Sequence, residues 1–170
     1  MSNLKRKNQK ALETILYLAE HDHRHYWVLK AIYLADKEHL QRFGRQIFDD
    51  NYIAMKDGPV PSLAYDLIKC ARGDGRNFFA DLEPENAINV PDCYTVTPKR
   101  PSNIELFSPS ELECLDHALQ IVKPLSFGQL KALSHDAAYQ AADQDGEMSI
   151  QDIAASLENG KEVIDYLQSS

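Results

Sequence analysis

The constraint that most limits the fold lies between Leu29 and Phe43, where an apolar stripe is interrupted by a carboxylate. On a 3.6-residue period Leu29, Ile32, Tyr33, Leu40 and Phe43 share one helical face, and Asp36 falls in its middle. A charge placed there has to be paired or hydrogen-bonded, because leaving it bare in an apolar surrounding is costly. Asp36 is therefore either a lock onto another segment or part of a site. The N–H groups of residues 57–60 are the expected partners, with Arg45, Lys56 or His135 as basic alternatives. The reading favoured is a tie from this helix to the Gly58-Pro59-Val60-Pro61 turn.

The flanking sequence organises around that helix. Asn8 to about His21 is amphipathic, His21-Asp22-His23 breaks it, and a second helix runs from about Arg24 to Phe43. Gly44 stops it as a C-terminal cap. Tyr52–Met55 is a short strand, and Pro59, Pro61 and Ser62 open a third helix that runs to about Arg72 and is ended by Gly73-Asp74-Gly75. Asp81–Pro101, rich in Pro, Asn and Asp, suits a β-hairpin from Ile88–Val90 and Tyr94–Val96, joined by the Tyr52 strand, or a mobile loop. Ser108-Pro109-Ser110-Glu111 announces a helix through a capping box. Ser126, Ser134 and Ser149 start three more, and Gly160 precedes a C-terminal one. The fold class is mainly α: a compact domain of six or more helices with a small β-hairpin or short antiparallel sheet, occupying 1–170 as a single unit.

With 170 residues, 44% hydrophobic and 26% charged, the chain has the make-up of a soluble globular domain. No apolar run approaches the about 18 residues that span a bilayer. The basic start, MSNLKRKNQK, leads into an amphipathic pattern rather than a signal peptide. Cys70, Cys93 and Cys114 are odd in number and widely spaced, as in a reduced, cytoplasmic protein. The net charge of −8 argues against nucleic acid, whose binders need a basic face, and favours a basic protein partner.

Residues of catalytic type occur, but not in catalytic patterns. His21, His23 and His25 lack the ligand set of a zinc site and are read as loop histidines. Asp143-x-Asp145-Gly146 fails the calcium-loop pattern at its first and twelfth positions, and is a helix-ending turn. Ser134-His135-Asp136 is contiguous, whereas a triad converges from separate segments. Cys114 and His117 can touch at i, i+3, yet Cys114 follows the apolar pattern. Gly58-Pro59-Val60-Pro61 is no phosphate loop, because its prolines remove N–H donors. It is a rigid start to a helix, or a stiff turn for a partner to grip. His135 is expected to be partly buried and hydrogen-bonded, with a recognition role beside Asp36 as the alternative. No catalytic residue, metal or cofactor is assigned.

Several short motifs in a fixed order extend this picture. YLAD at Tyr33–Asp36, FGR at Phe43–Arg45, the Tyr52–Met55 strand, GPVPS at Gly58–Ser62, FSPSE at Phe107–Glu111 and LSH at Leu133–His135 together resemble the Panacea domain, the SocA-like antitoxin family. The resemblance spans roughly residues 12–157. It implies a non-enzymatic, protein-binding antitoxin from a two-gene bacterial or phage module, which neutralises a toxin encoded nearby by direct contact. An alternative is an adaptor that delivers the toxin to a cytosolic protease; an unrecognised metal-dependent hydrolase is weaker. The matching positions implied for partner binding are Tyr33, Asp36, Gly58, Pro59, Val60, Tyr65, Ser134 and His135. One departure is Tyr139, where the family often carries Trp; the only tryptophan here is Trp27.

Overall fold

Helix α2, His25–Phe43, is the axis of the computed structural model, which describes residues 2–74, 79 and 81–170. It is buried around much of its circumference, and its most extensive partner is α5, Pro109–Val122. Helix α1, Asn3–Ala19, packs against α2 and α3, Ser62–Arg72, through Leu12, Ile15 and Leu16, all essentially inaccessible. Helix α1 begins five residues earlier than its apolar pattern does. Its first turns are polar and solvent-facing, with Leu4 67% exposed, and Ser2 caps them through the Lys5 N–H. The His21–His23 break is held by backbone bonds to residues 94–96: His25 N–H donates to the Tyr94 carbonyl and Val96 N–H to the His23 carbonyl.

Strand β1, Tyr52–Met55, pairs with β2, Gly58–Pro61, in an antiparallel hairpin that sets Tyr52 opposite Pro61 and Met55 opposite Gly58. On its other side β1 pairs with β5, Glu147–Met148, so the sheet order is β2-β1-β5. The GPVP segment is thus a strand, where the sequence pointed to a turn and a helix start. Its prolines are tolerated because β2 is an edge, where a missing N–H breaks no ladder. The Asp81–Pro101 region does form a hairpin, from β3, Ile88–Asn89, and β4, Thr97–Pro98, preceded by α4, Pro84–Ala87, but the Tyr52 strand does not join it.

The remaining helices are short. Helix α6, Phe127–Ser134, carries a second capping box from Ser126 and Gln129. Helix α7, Ala137–Ala141, is capped by Asp136 rather than by Ser134, which instead ends α6. Helices α8, Ile150–Ala155, and α9, Gly160–Ser169, pack on each other. Mainly α architecture with small antiparallel sheets is therefore the fold class, as expected from the sequence. Gly75, placed by the sequence reading in the turn after α3, lies outside the described residues.

One buried carboxylate has a role that the sequence reading missed. Asp50 accepts N–H groups from Leu63 and Ala64 in the first turn of α3 and from Asn51. It supplies from twelve or so residues upstream the cap that Pro61 cannot supply, since Pro61 makes no side-chain cap bond. Burial outweighs these donors and holds the Asp50 carboxyl above its usual range. Asp50→Ala should orphan three N–H groups and cost about 1–3 kcal/mol in thermal or denaturant unfolding; a variant as stable as the parent would remove this account of how α3 begins.

Candidate functional site

Helix α2 buries one carboxylate, Asp36, and one ammonium, Lys30, each with no opposite charge within ion-pairing distance among the described residues. Asp50, described above, is likewise held by N–H groups alone, whereas three other buried carboxylates are paired. Glu111 meets Lys10 at 2.6 Å and Arg45 at 2.7 Å, Glu13 meets Arg100 at 2.6 Å, and Asp22 meets Arg24 at 2.7 Å. Asp36 and Lys30 sit on different faces of the helix and do different things.

Asp36 is a lock, but not onto the GPVP strand. Its Oδ1 accepts the Ile47 N–H at 2.8 Å and its Oδ2 accepts the Tyr52 hydroxyl. Neither the N–H groups of residues 57–60 nor Arg45, Lys56 or His135 is its partner. The reason is the C-cap: Gly44 adopts φ 74°, reverses the chain, and brings residues 45–52 back against α2. The Tyr166 ring fills the space a Gly44 side chain would need. His39 reinforces the same tie, its Nδ1–H donating to the Arg45 carbonyl at 2.8 Å while Nε2 meets the Ser110 hydroxyl at 3.0 Å. Arg45 itself is drawn away to Glu111. Burial pushes the Asp36 carboxyl up to about 7, against the lowering effect of its two donors.

Lys30 lies one turn from Tyr26 on another face and is 1% exposed. Its ammonium donates to the Pro59 carbonyl at 2.7 Å and stands 4.6 Å over the Tyr26 ring. Burial brings it down to about 7. Around it converge five of the residues implied for partner binding. Gly58 takes φ 120°, and a side chain there would meet Ser134 Oγ at 2.6 Å and Lys30 Cε at 3.0 Å, so only glycine lets α2, β2 and α6 close. Pro59 supplies the acceptor. Val60 and Tyr65 line a cavity of 180 Å³ beside Lys30, together with His25, Tyr26 and Met55.

The other three implied residues are placed differently. Tyr33 is fully buried and donates to Asp136 at 2.7 Å, while its ring meets that of Tyr52 edge-on. Asp36, equally enclosed, touches no surface. His135 stacks on Tyr139 with ring centroids 4.1 Å apart, and its Nε2 is buried without a partner among the described residues. Burial lowers its pKa, and the charges acting on it are Lys131, Lys30, Asp57 and Asp136, so it stands near the Lys30 face rather than beside Asp36. Tyr139, at the position where the family often carries Trp, donates to the Met55 carbonyl at 2.6 Å and so ties α7 to the hairpin. Phe43, expected inside, is 43% exposed and packs on the His39 ring and under the Arg42 guanidinium instead.

The hydrolase-type residues diverge. Ser134 Oγ donates to the Lys131 carbonyl, His135 stacks, and Asp136 caps α7 and binds Lys37 at 2.8 Å. Cys114 and His117 do share a neighbour, Glu38, which His117 contacts at 2.8 Å. Burial, then the Glu38 carboxylate, pushes the Cys114 thiol up to about 12, the opposite of what a nucleophile requires. Among the described residues no group of three or more His, Cys, Asp or Glu side chains converges as a metal site, and no helix is long and apolar enough to cross a membrane.

Apolar and basic side chains lie near Lys30 on a chain of net charge −8. Phe127 of α6, 45% exposed, packs on Tyr26 at 4.7 Å, and Leu133 and Tyr94 are 44% and 80% exposed. Lys69 lies 4.6 Å over the Tyr65 ring, and Lys131 pairs with Asp57 at 3.1 Å. Lys30, His25 and Tyr26 were missed from sequence. The available signal was the i, i+4, i+7 spacing of Tyr26, Lys30 and Tyr33, which puts all three on one side of α2.

The raised Asp36 pKa has a consequence for stability. Between the ordinary carboxyl value of 3.8 and about 7 the folded chain keeps a proton that the unfolded chain has lost, so this group's contribution falls as pH rises through that window. Asparagine copies the protonated form, accepting from Ile47 and donating to Tyr52. Asp36→Asn should match the parent near the acid end of the window and exceed it by about 2–4 kcal/mol above neutrality, whereas Asp36→Ala should lose about 1–3 kcal/mol. Chemical denaturation across pH checks both; a gap between Asn variant and parent that stays constant with pH would remove the uncompensated-carboxylate account.

No curated protein and no solved structure matches the chain. A family model does, that of the SocA-like antitoxin, Panacea domain, over residues 28–140. That span is more than half of the chain and covers α2 from Val28 onward, the β1–β2 hairpin, α3, α5 and α6, while His25 and Tyr26 of the cavity lie just before it. The chain belongs to the SocA-like antitoxin family, the Panacea domain.

Proposed function

We propose that this chain is a non-enzymatic antitoxin that acts in the cytoplasm and neutralises a toxin protein by direct contact. The contact face is the one formed by the N-terminal half of α2, β2, α3 and α6. The single observation that carries the reading is the match of residues 28–140 to an antitoxin family, a span that includes β2, α3 and α6 and α2 from Val28 onward. Three features of the face support it. β2 is held flat and stiff by Pro59 and Pro61, so little ordering is needed on binding. Val60 and Tyr65 are half-buried and Phe127, Leu133 and Tyr94 exposed, an aromatic and apolar set of the kind that dominates protein contacts. The oppositely charged pair Lys131–Asp57 borders it.

Within this reading Val60 and Tyr65 touch the toxin. Gly58, Pro59, Ser134 and His135 shape the surface around Lys30. Tyr33 and Asp36, being enclosed, act only by holding the elements that form it. The non-enzymatic part of the reading draws on the diverging Ser134, His135 and Asp136 and on the suppressed Cys114 thiol.

The test is co-expression with the neighbouring open reading frame. That frame alone should arrest growth, the chain should restore it, and the two proteins should co-elute in gel filtration. Val60→Asp and Tyr65→Ala should weaken the complex by about 2 kcal/mol or more, roughly thirtyfold, with unchanged melting, while Asp36→Asn keeps full rescue. A harmless neighbour, or rescue indifferent to both surface variants, would sink the proposal. Loss of toxin only when a cytosolic protease is present would replace sequestration with delivery to that protease.

A further inference from the structure

The cavity beside Lys30 has the composition of a site for one chain end. Lys30 carries three donors and spends one, on the Pro59 carbonyl. No carboxylate of the described residues lies within 4 Å of its ammonium. His25 lines the same cavity, and its Nε2 is buried with no partner among the described residues. Lys30 is thus the one unused cationic group beside this space, since the His25 imidazole, lowered by burial and bonded to the Cys93 backbone, is neutral and offers a lone pair at Nε2. The only carboxylate in its lining, Asp57, is engaged by Lys131 at 3.1 Å. Leu29, Met55 and Val60 make the rest of the wall apolar.

We propose that this cavity binds the C-terminal residue of a polypeptide, its carboxylate paired with Lys30 and its apolar side chain against Leu29, Met55 and Val60. A chain end is the occupant that fits best. It carries a carboxylate and an apolar side chain on one residue, matching a wall that offers a cation and aliphatic carbons together. An internal Asp or Glu brings the charge without the apolar group. At 180 Å³ the space is below the ~300–1,000 Å³ of small-molecule and cofactor sites. Charge complementarity points the same way: on a chain of net charge −8, Lys30 and Lys56 line the cavity, Lys69 lies over the ring of its Tyr65, and Arg72 and Lys30 are charges that depress its His25.

Proton balance follows from the site. Free Lys30 is near half-protonated at about pH 7, and the bound carboxylate holds the proton on it. Affinity therefore declines as pH rises above neutrality. The other titratable groups around Lys30 are His25, His135, Tyr26, Tyr65, Lys56, Asp57 and its partner Lys131; the two histidines, both depressed by burial, are already neutral in that range.

The inference deepens the antitoxin reading, since the cavity lies on the face proposed for the toxin, but its test needs no toxin. The purified full chain is titrated by calorimetry and nuclear magnetic resonance with acetyl-Ala-Leu as free acid, with its C-terminal amide, and with acetyl-Glu-Leu amide. The free acid should bind at millimolar concentration, shift the Lys30, His25 and Tyr65 resonances, and bind about tenfold or more tightly than either amide, with the advantage shrinking as pH rises above neutral. Lys30→Met should erase that advantage. Should this variant fold poorly, the acid–amide comparison on the unaltered chain still decides. No binding by the free acid, or equal binding by its amide, overturns the proposal; equal binding by the glutamyl amide overturns the assignment to a chain end. Failure here together with growth rescue would reject the cavity and leave the antitoxin reading standing.

Discussion

Everything in this fold that reaches the surface at β2 depends on how Asp36 is satisfied. Its two donors come from Ile47 and Tyr52, so one carboxylate in the middle of α2 fixes both the return segment and the first residue of the sheet. Tyr52 is in register with Pro61, the residue just before α3. Asp50, two residues before Tyr52, then caps α3. A single chain of contacts thus runs from α2 through the hairpin to the start of the next helix. The hydrogen bonds, not an ion pair, carry it, and a protonated or amide side chain serves as well as a charged one.

The same helix exploits burial differently on its other side. Lys30 anchors β2 through a carbonyl, which any donor could do, yet it is an amine held in an apolar pocket with donors to spare, its pKa brought down to about 7 by burial. Structural economy alone would favour pairing it, as Glu111, Glu13 and Asp22 are paired. An uncompensated group of this kind beside a cavity is more readily understood as reserved for a partner. The basic and aromatic setting of that cavity also qualifies the expectation, drawn from net charge, that a partner should be basic. The sum of charges describes the whole surface, and one face departs from it.

Local chemistry was legible in the sequence wherever caps or glycines act over a few residues. Gly44, Gly73, Ser108 with Glu111, Ser126 and Ser149 mark helix boundaries that the structure keeps. What was not legible depends on contacts between segments. The partner of Asp36 is set by an irregular stretch with no periodicity to read. β2 was hidden because two prolines disguise an edge strand. Asp50 caps a helix from across a hairpin, and Asp136 displaced Ser134 as the start of α7 because it also gathers Tyr33 and Lys37. Lys30 was passed over because lysine is almost always a surface residue, and its spacing with Tyr26 and Tyr33 was the one local sign that α2 is covered on that side as well.

The central claim is that the surface around Lys30 is where a toxin docks. Hydrogen exchange of the chain, free and mixed with the product of the neighbouring reading frame, tests it most directly. The account predicts added protection across β2, the start of α3 and α6, with α9 and residues 103–107 unchanged. Protection confined to α9 or to the opposite side of α2, with Gly58–Tyr65 exchanging as before, would contradict it.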